Sequence, residues 1–479
     1  MRSVFWVAAD KWTNRVLNFL VLLFLARLLN PADFGTVALV NVFVTLLGVV
    51  AGLGFNAYIQ RAPKADQRTT STALWISLAA SIVEYAALAI AAPFLALAFH
   101  SPTLQSMMWV MGLALPFGAI ESIPTAILRR DLNMRPIAIR GVISSLIGGI
   151  GAVVLAFLGA GAWALIFQLL VTQLLSAVMI VALSRWRPSF VFDRAEARIM
   201  TKFGVSVVGT QLINQLRDRG DEFLIGAILG PQALGFWVIA TRIYRTAVDL
   251  FTSVVTTVTL SSFAKVGHDR ERLINAVRAA SSASAIVVIP ALVALSVLSP
   301  VLIPFAFGES WQRSVFPAQI LTLAGAFLAM QWIDSNIWWT LGKPGTEFLL
   351  ATGISAVHLA VVALAAPHGL DAVAVAILVR TVVLSPIRVL FLKFRAQLSL
   401  TIYSNVWRVA ISAAVMAAAM VGLSLVVDRQ PAVPYLIVEV AVGGLVYLGM
   451  SLVLVRPLVL RIAKDFRLLR PGKPSTATE

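Results

Sequence analysis

The sequence predicts an all-α polytopic membrane protein with about fourteen transmembrane helices. Hydrophobic residues make up 59% of the 479-residue chain and charged residues only 13%. A soluble domain is nearer to about 45–50% apolar and about 25% charged. The mean hydropathy of +0.90 agrees with this, and a water-soluble enzyme with so much apolar surface would aggregate. The alternation at period two that a membrane β-barrel requires is missing.

Apolar runs separated by polar breaks define the spans, because one helix needs about 20 residues to cross a bilayer. The first run is interrupted by Asp10 and Lys11 and lacks a small-residue cleavage site, which predicts a retained span rather than a signal peptide. The absence of cysteine excludes disulfides, thiolate metal sites and a cysteine nucleophile. The predicted spans are 4–28, 34–57, 73–99, 105–128, 139–159, 162–183, 203–228, 234–260, 278–307, 316–340, 346–366, 370–392, 405–427 and 433–455.

The distribution of basic residues between the spans predicts the orientation. If residue 1 is cytoplasmic, the cytoplasmic segments hold 26 Lys and Arg residues, Arg140 among them, and the opposite side holds three. With an even number of spans, this positive-inside bias predicts that both termini lie in the cytoplasm. It also accounts for most of the net charge of +16 without a nucleic acid partner. The basic segment 456–470 is expected to contact the anionic lipids of the inner leaflet.

The chain contains an internal repeat. The motif Leu29-Asn30-Pro31-Ala32-Asp33-Phe34-Gly35 returns as Leu229-Gly230-Pro231-Gln232-Ala233-Leu234-Gly235, with Leu, Pro and Gly at an offset of 200. Because six helices separate the copies, the two halves enter the membrane in the same direction. We therefore expect six-helix lobes at 1–195 and 196–395, related by a pseudo-two-fold axis along the membrane normal. Two additional helices (396–460) and a basic cytoplasmic tail (461–479) follow.

Polar side chains line one face of the first span, at spacings i, i+3, i+4 and i+7. An offset of 200 places these positions on four polar residues of the seventh span, and Arg242 and Arg245 follow in the eighth. An ionised side chain at mid-bilayer costs about 2.5–3.5 kcal/mol, so these groups face either a wet cavity or a charged partner. A basic cavity with amide groups suits a phosphorylated, sugar-bearing amphiphile. The candidate substrate-binding residues are Lys11, Asn14, Arg15, Asn18, Gln211, Asn214, Arg217, Arg242 and Arg245.

Four aspartates inside the spans have two interpretations, ion coupling or simple charge pairing. They are Asp218, Asp221, Asp249 and Asp334. The sequence has no Walker lysine motif, no metal-ligand spacing and no Ser-His-Asp arrangement. We therefore expect neither an enzyme nor a bound metal or cofactor, and proton or sodium coupling stays open.

Three segments resemble one known family. The segment Leu25-Ala26-Arg27-Leu28-Leu29-Asn30-Pro31-Ala32-Asp33-Phe34-Gly35 resembles the signature of polysaccharide flippases in the multidrug/oligosaccharidyl-lipid/polysaccharide (MOP) superfamily. Phe203-Gly204, Asp221-Glu222-Phe223-Leu224-Ile225-Gly226 and the second repeat motif are similar to its seventh and eighth helices. Phe307-Gly308-Glu309-Ser310-Trp311 is similar to a stretch of the Wzx-type colanic-acid and succinoglycan exporter branch. The resemblance covers most of residues 1–395.

The resemblance implies a flippase that works by alternating access. Its substrate would be an undecaprenyl-diphosphate-linked oligosaccharide, moved from the cytoplasmic to the periplasmic leaflet for exopolysaccharide, capsule or O-antigen. Polysaccharide polymerase and assembly proteins are the protein partners that this role implies. In this family basic cavity residues carry the diphosphate, a role that maps onto Lys11, Arg15, Arg217, Arg242 and Arg245.

Three alternatives stay open. A lipid II flippase for peptidoglycan would share fold and charge, although the Gly-Glu-x-Trp stretch argues against it. An ion-coupled multidrug extruder would favour an acidic cavity, whereas these stripes are basic. A scaffold of the polysaccharide assembly complex that transports nothing would not need opposed charged stripes.

Overall fold

The computed structural model describes residues 2–52, 54–61, 66–263, 270–328, 337–338, 343–395 and 405–455. These ranges contain no strand, which confirms the all-α fold class. Two 3₁₀-helices, Glu309–Ser314 and Ala366–His368, also occur. The predicted tail 461–479 lies outside the described residues. The α-helices are α1 (Arg2–Leu28), α2 (Pro31–Ala51), α3 (Phe55–Arg61), α4 (Gln67–Ala98), α5 (Pro102–Gly112), α6 (Ala114–Arg130), α7 (Arg135–Phe157), α8 (Ala162–Leu183), α9 (Arg194–Phe263), α10 (Arg270–Phe307), α11 (Val315–Leu328), α12 (Pro344–Ala365), α13 (Leu370–Arg395), α14 (Val406–Val426) and α15 (Ala432–Leu454).

Local sequence signals account for where several helices begin. Pro31, Pro102 and Pro344 are the first residues of α2, α5 and α12, where proline loses no helical hydrogen bond. Asp66 caps α4: its carboxylate accepts a hydrogen bond of 2.8 Å from the amide of Thr69. This bond lowers the pKa of the Asp66 carboxyl.

The membrane spans agree with the prediction. Eleven helices in the described ranges are long and apolar enough to cross a membrane. That count takes α9 once, although Gly230 divides it into two predicted spans, and it omits α1 and the 14-residue α11. Large apolar side chains on the outside, such as Leu97 (75% exposed) and Val426 (86%), suit contact with lipid. The chain is therefore a multi-pass membrane protein.

The chain divides into two compact units, Met1–Val238 and Ile239–Glu479. In the first unit, α1 packs on α7, α7 on α8, and α4 on both α5 and α6. One apolar core of this unit joins α3, α4 and α6 through Phe55, Ile59, Leu74 and Ile123. The first unit contains both copies of the repeat motif.

The second unit is built around α10, which packs on α11, α14 and α15. One apolar core of this unit contains Val288 and Leu292 of α10 and Val409 and Ala413 of α14. The predicted boundaries at 195/196 and 395/396 stay predictions.

The two repeat motifs contact each other directly. A Cβ atom added to Gly35 would lie 1.6 Å from the carbonyl oxygen of Pro231, and one added to Gly235 would lie 1.8 Å from that of Pro31. Each glycine of one copy therefore packs on the proline of the other. Glycine is required at both positions because no side chain fits between backbones this close.

Candidate functional site

The polar stripe of α1 lies on the protein side of the helix. Asn14, Arg15 and Asn18 are half-buried and Lys11 is exposed. The Asn18 side-chain amide donates a 2.8 Å hydrogen bond to the carbonyl of Asn14. The large exposed apolar side chains of α1 lie on the opposite face, at the helical angles expected for lipid contact. Those residues are Trp12, Val16, Phe19, Leu20 and Phe24.

The first half of α9 also has a polar face opposite an apolar face. Gln211, Asn214 and Asp218 are exposed on one face, and Asp221 is buried further along it. The exposed apolar side chains occupy the opposite face at helical spacing. These are Val205, Ile213, Leu216 and Phe223. Two helices of the first unit therefore each combine a polar face with an opposed apolar face.

Ion pairs neutralise part of the charge on α9. The Arg217 guanidinium lies 3.1 Å from the Asp218 carboxylate, and both side chains are about half exposed. Arg219 donates to both carboxylate oxygens of Glu222 at 2.9 Å, and the Glu222 side chain is buried. Arg217 therefore has an acidic partner in Asp218, and its exposure leaves it accessible to a ligand.

The remaining candidates lie in the second unit or outside the described residues. Arg242 is exposed and Arg245 is half-buried, and both follow the second repeat motif on α9. Asp249 belongs to α9, but its side chain lies outside the described part of the chain, as does the whole of Asp334.

The structure contains a buried polar network that the sequence analysis missed. Arg140 of α7 forms a salt bridge with Glu121 of α6, and it donates a hydrogen bond to the hydroxyl of Ser176 on α8. The Gln173 amide of α8 donates to the second Glu121 oxygen at 2.9 Å. Arg140, counted above with the cytoplasmic loops, is in fact buried within the first unit. The signal available in the sequence was three polar residues, Glu121, Gln173 and Ser176, inside apolar spans.

A second buried pair joins α12 and α13. One guanidinium nitrogen of Arg388 lies 2.9 Å and 3.0 Å from the two carboxylate oxygens of Glu347. Only 8% of the Arg388 side chain and 12% of the Glu347 side chain are exposed. Arg388 was not recognised as an intramembrane charge from the sequence.

The chemistry of the candidate residues suits an anion with polar substituents. Guanidinium groups bind phosphate through charge-assisted and often bidentate hydrogen bonds, and carboxamides bind hydroxyl and phosphate oxygens. In the described ranges no group of three or more His, Asp or Glu residues is placed to hold a metal ion.

Comparison with known proteins assigns the family. The family model described as "Polysaccharide biosynthesis protein" (Polysacc_synt_3) matches residues 24–316, which is more than half of the chain. The chain belongs to this family. Both copies of the repeat motif and the first half of α9 lie inside the matched range.

Two curated relatives align with about two thirds of the chain. The succinoglycan biosynthesis transport protein ExoT of Rhizobium meliloti is 27% identical over 310 residues, covering 65% of this chain and 63% of ExoT. The lipopolysaccharide biosynthesis protein WzxC of Escherichia coli is 24% identical over 307 residues, covering 63% of this chain and 62% of WzxC. The chain thus spans a little under two thirds of the length of these relatives.

Solved structures give the fold over nearly the whole chain. The inward closed conformation of the lipid II flippase MurJ superposes with a TM-score of 0.76 at 15% identity, covering 95% of this chain and all of MurJ. At this identity the likeness concerns the fold alone. The family match confirms the resemblance to polysaccharide biosynthesis proteins, and the superposition confirms the predicted fold class.

Proposed function

We propose that this protein is a flippase for polyprenyl-diphosphate-linked oligosaccharide in surface polysaccharide biosynthesis. The observation that carries the proposal is the pair of polar stripes on α1 and α9, each opposed to an apolar lipid-type face. Groups such as Arg15 and Arg217 would bind the diphosphate, and the carboxamides of Asn14 and Gln211 would bind sugar hydroxyls. The relatives, a transport protein and biosynthesis proteins of surface polysaccharides, support the substrate class.

The membrane potential favours export of such a substrate. A head group with two negative charges that leaves a cell negative inside gains about 7 kcal/mol at about 150 mV. The protein then only needs to bind the head group and shield it from the hydrocarbon core. Export of the head group therefore requires no catalytic chemistry from the protein.

The proposed location is the bacterial inner membrane with both termini in the cytoplasm. The bias of basic residues toward one side of the predicted spans supports this orientation. Polysaccharide polymerase and assembly proteins are the proposed protein partners, because they would consume the translocated product.

Deletion of the gene, with mass spectrometry of extracted lipids and an assay of surface polymer, tests the proposal. We expect polyprenyl-diphosphate oligosaccharide to accumulate and one polymer to disappear. Unchanged lipids and polymer in a strain without a second transporter would refute it. Loss of viability with accumulated lipid II would instead identify a peptidoglycan flippase, and unchanged lipids with new drug sensitivity would identify an extruder.

The double variant Arg15→Gln/Arg217→Gln tests the site. Removal of a charged hydrogen-bond partner costs about 1.5–3 kcal/mol, so we expect export to fall at least about tenfold per arginine. Arg313→Gln is the matched control because Arg313 is an exposed arginine in the 3₁₀-helix Glu309–Ser314, outside both stripes. Normal export by a double variant present at the control's membrane level would exclude these residues from the site.

A further inference from the structure

Glu84 is a buried carboxyl without a hydrogen-bond partner in the described part of the chain. It lies in the 32-residue α4, about 25 Å from the start of the helix at 1.5 Å per residue. Only 7% of the residue is exposed. Neither carboxyl oxygen has a hydrogen-bond partner among the described residues. The polar networks described above do not include it.

Glu84 continues a buried polar seam along α4. Ser77, Ser81 and Glu84 follow at intervals of four and three residues, so they share one face of the helix, and all three are buried. Ser81 donates its hydroxyl to the carbonyl of Leu78 at 2.8 Å, while the Ser77 hydroxyl has no partner among the described residues. The seam places exchangeable hydroxyl groups on the side of Glu84 nearer the start of α4.

The helices α5 and α6 pack against α4 and form one nearly continuous span. They meet at Leu113, whose backbone angles (φ −60°, ψ −17°) are helical. Tyr85 and Leu88, which follow Glu84 on α4, pack on Gly112: a Cβ atom added there would lie 2.8 Å from the Tyr85 ring.

The charged groups on the helices packed against α4 do not neutralise Glu84. α2 carries Asp33 and α5 carries no charged residue. α6 carries Glu121, which is bonded to Arg140 and Gln173, and two arginines in its last turn, Arg129 and Arg130. α4 itself contributes Arg68 in its first turn and the phenol of Tyr85.

An unpartnered carboxylate in an apolar interior is far more costly than the neutral acid. We propose that Glu84 is a proton-binding site, occupied by a proton in the conformation described here and emptied when a rearrangement of the first unit exposes it to water. Proton binding at Glu84 requires no particular substrate. Its use to drive or reset the carrier rests on the proposed function.

Labelling with a hydrophobic carbodiimide tests the site, because this reagent reacts with protonated carboxyls in apolar surroundings. The full-length protein in detergent is labelled over a range of pH, and the peptide containing residue 84 is quantified by mass spectrometry. We expect modification of Glu84 that falls about tenfold per pH unit once the group ionises. Glu347 is the internal control: only 12% of its side chain is exposed, but it is bonded to Arg388, so it should stay unlabelled.

Two results would overturn the proposal. If Glu84 stays unlabelled at every pH, it is not a neutral acid. If Na⁺ suppresses the labelling at constant pH, the group is a sodium site. Glu84→Gln resembles the protonated acid, so it should retain the thermal stability of the wild type while surface polymer falls at least tenfold. Wild-type export by Glu84→Gln would refute the coupling role. Because labelling needs no substrate, its failure is distinguishable from failure of the proposed flippase activity.

Discussion

The two copies of the repeat motif share one contact and differ in another. Gly35 and Gly235 each contact a proline carbonyl of the other copy, so the close helix crossing is reciprocal. The backbone conformation at the start of the helix differs between the copies. The residue before the proline is Asn30 in the first copy, with φ −84°, and Gly230 in the second, with φ 82° and ψ 177°.

The local chemistry explains this difference. In the first copy the Asp33 carboxylate accepts a 3.0 Å hydrogen bond from the amide of Asn30, which closes the start of α2 in ordinary extended backbone. The second copy has Ala233 at the position of Asp33 and relies on a backbone conformation that is essentially limited to glycine. Packing between the copies thus constrains the Pro and Gly positions of the motif. The backbone at the helix start is stabilised differently in each copy.

Substitution of the crossing glycines should have the largest effect. Gly35→Ala or Gly235→Ala places a methyl group within 2 Å of a backbone oxygen, so the helices must separate. We expect a loss of about 3 kcal/mol or more in the free energy of unfolding, or no folded protein. Thermal unfolding in detergent measures it. Gly209→Ala is the control, because no atom lies within 4 Å of the added Cβ; equal losses in all three would refute the contact.

Substitution of Gly230 separates strain from packing. Gly230→Ala meets no atom within 4 Å, so its cost comes only from the positive φ. We expect a loss of about 1–3 kcal/mol, measured as a lower unfolding temperature. The matched variant Asn30→Ala lacks this strain and should cost less. A larger loss for Asn30→Ala than for Gly230→Ala would contradict the comparison.

Removal of the Asp33 carboxylate should cost less again. Asp33→Ala eliminates the hydrogen bond to the Asn30 amide and a favourable negative charge near the start of α2, together worth about 1 kcal/mol. Thermal unfolding of the variant measures this loss. Gln232→Ala, in the copy that lacks such a cap, is the control, and its free energy of unfolding should be nearly that of the wild type. An equal loss of stability in both variants would show that the cap contributes nothing.

The smallest effect is expected for Asn30→Gly. Glycine is accepted at helix starts at a cost of only a few tenths of a kcal/mol relative to Asn, and the Asn30 amide that donates to Asp33 is retained. Unfolding temperatures of this variant and the wild type should therefore nearly coincide. A loss as large as that of Asp33→Ala would mean that the Asn30 side chain, rather than the carboxylate, closes the helix start.

The sequence was sufficient for the spans and for the polar stripes, because both depend on the order of residues along one helix. Apolar runs placed the helices, and the spacing of Lys11, Asn14, Arg15 and Asn18 showed a single polar face. The repeat motif was also visible, but its reciprocal contact was not, since two short segments 200 residues apart can match without touching.

Pairing between helices could not be predicted in the same way. Arg140 stands near the end of a loop rich in arginine, so its position alone indicated the cytoplasm, and only the packing of α6, α7 and α8 brings Glu121, Gln173 and Ser176 to it. Glu84 was one of several intramembrane carboxyls in the sequence. Its lack of partners depends on what α2, α5 and α6 place beside it.

The two buried salt bridges have a consequence for biogenesis. Glu121 and Arg140 lie on consecutive helices, α6 and α7, and Glu347 and Arg388 lie on the consecutive helices α12 and α13. In each pair, the helix that carries the arginine is therefore synthesised directly after the helix that carries the glutamate. A hairpin that pairs its charges before it leaves the insertion machinery presents a neutral unit to the lipid, which lowers the cost of inserting each charge. The order of helices along the chain thus allows these charged segments to enter the membrane as pairs.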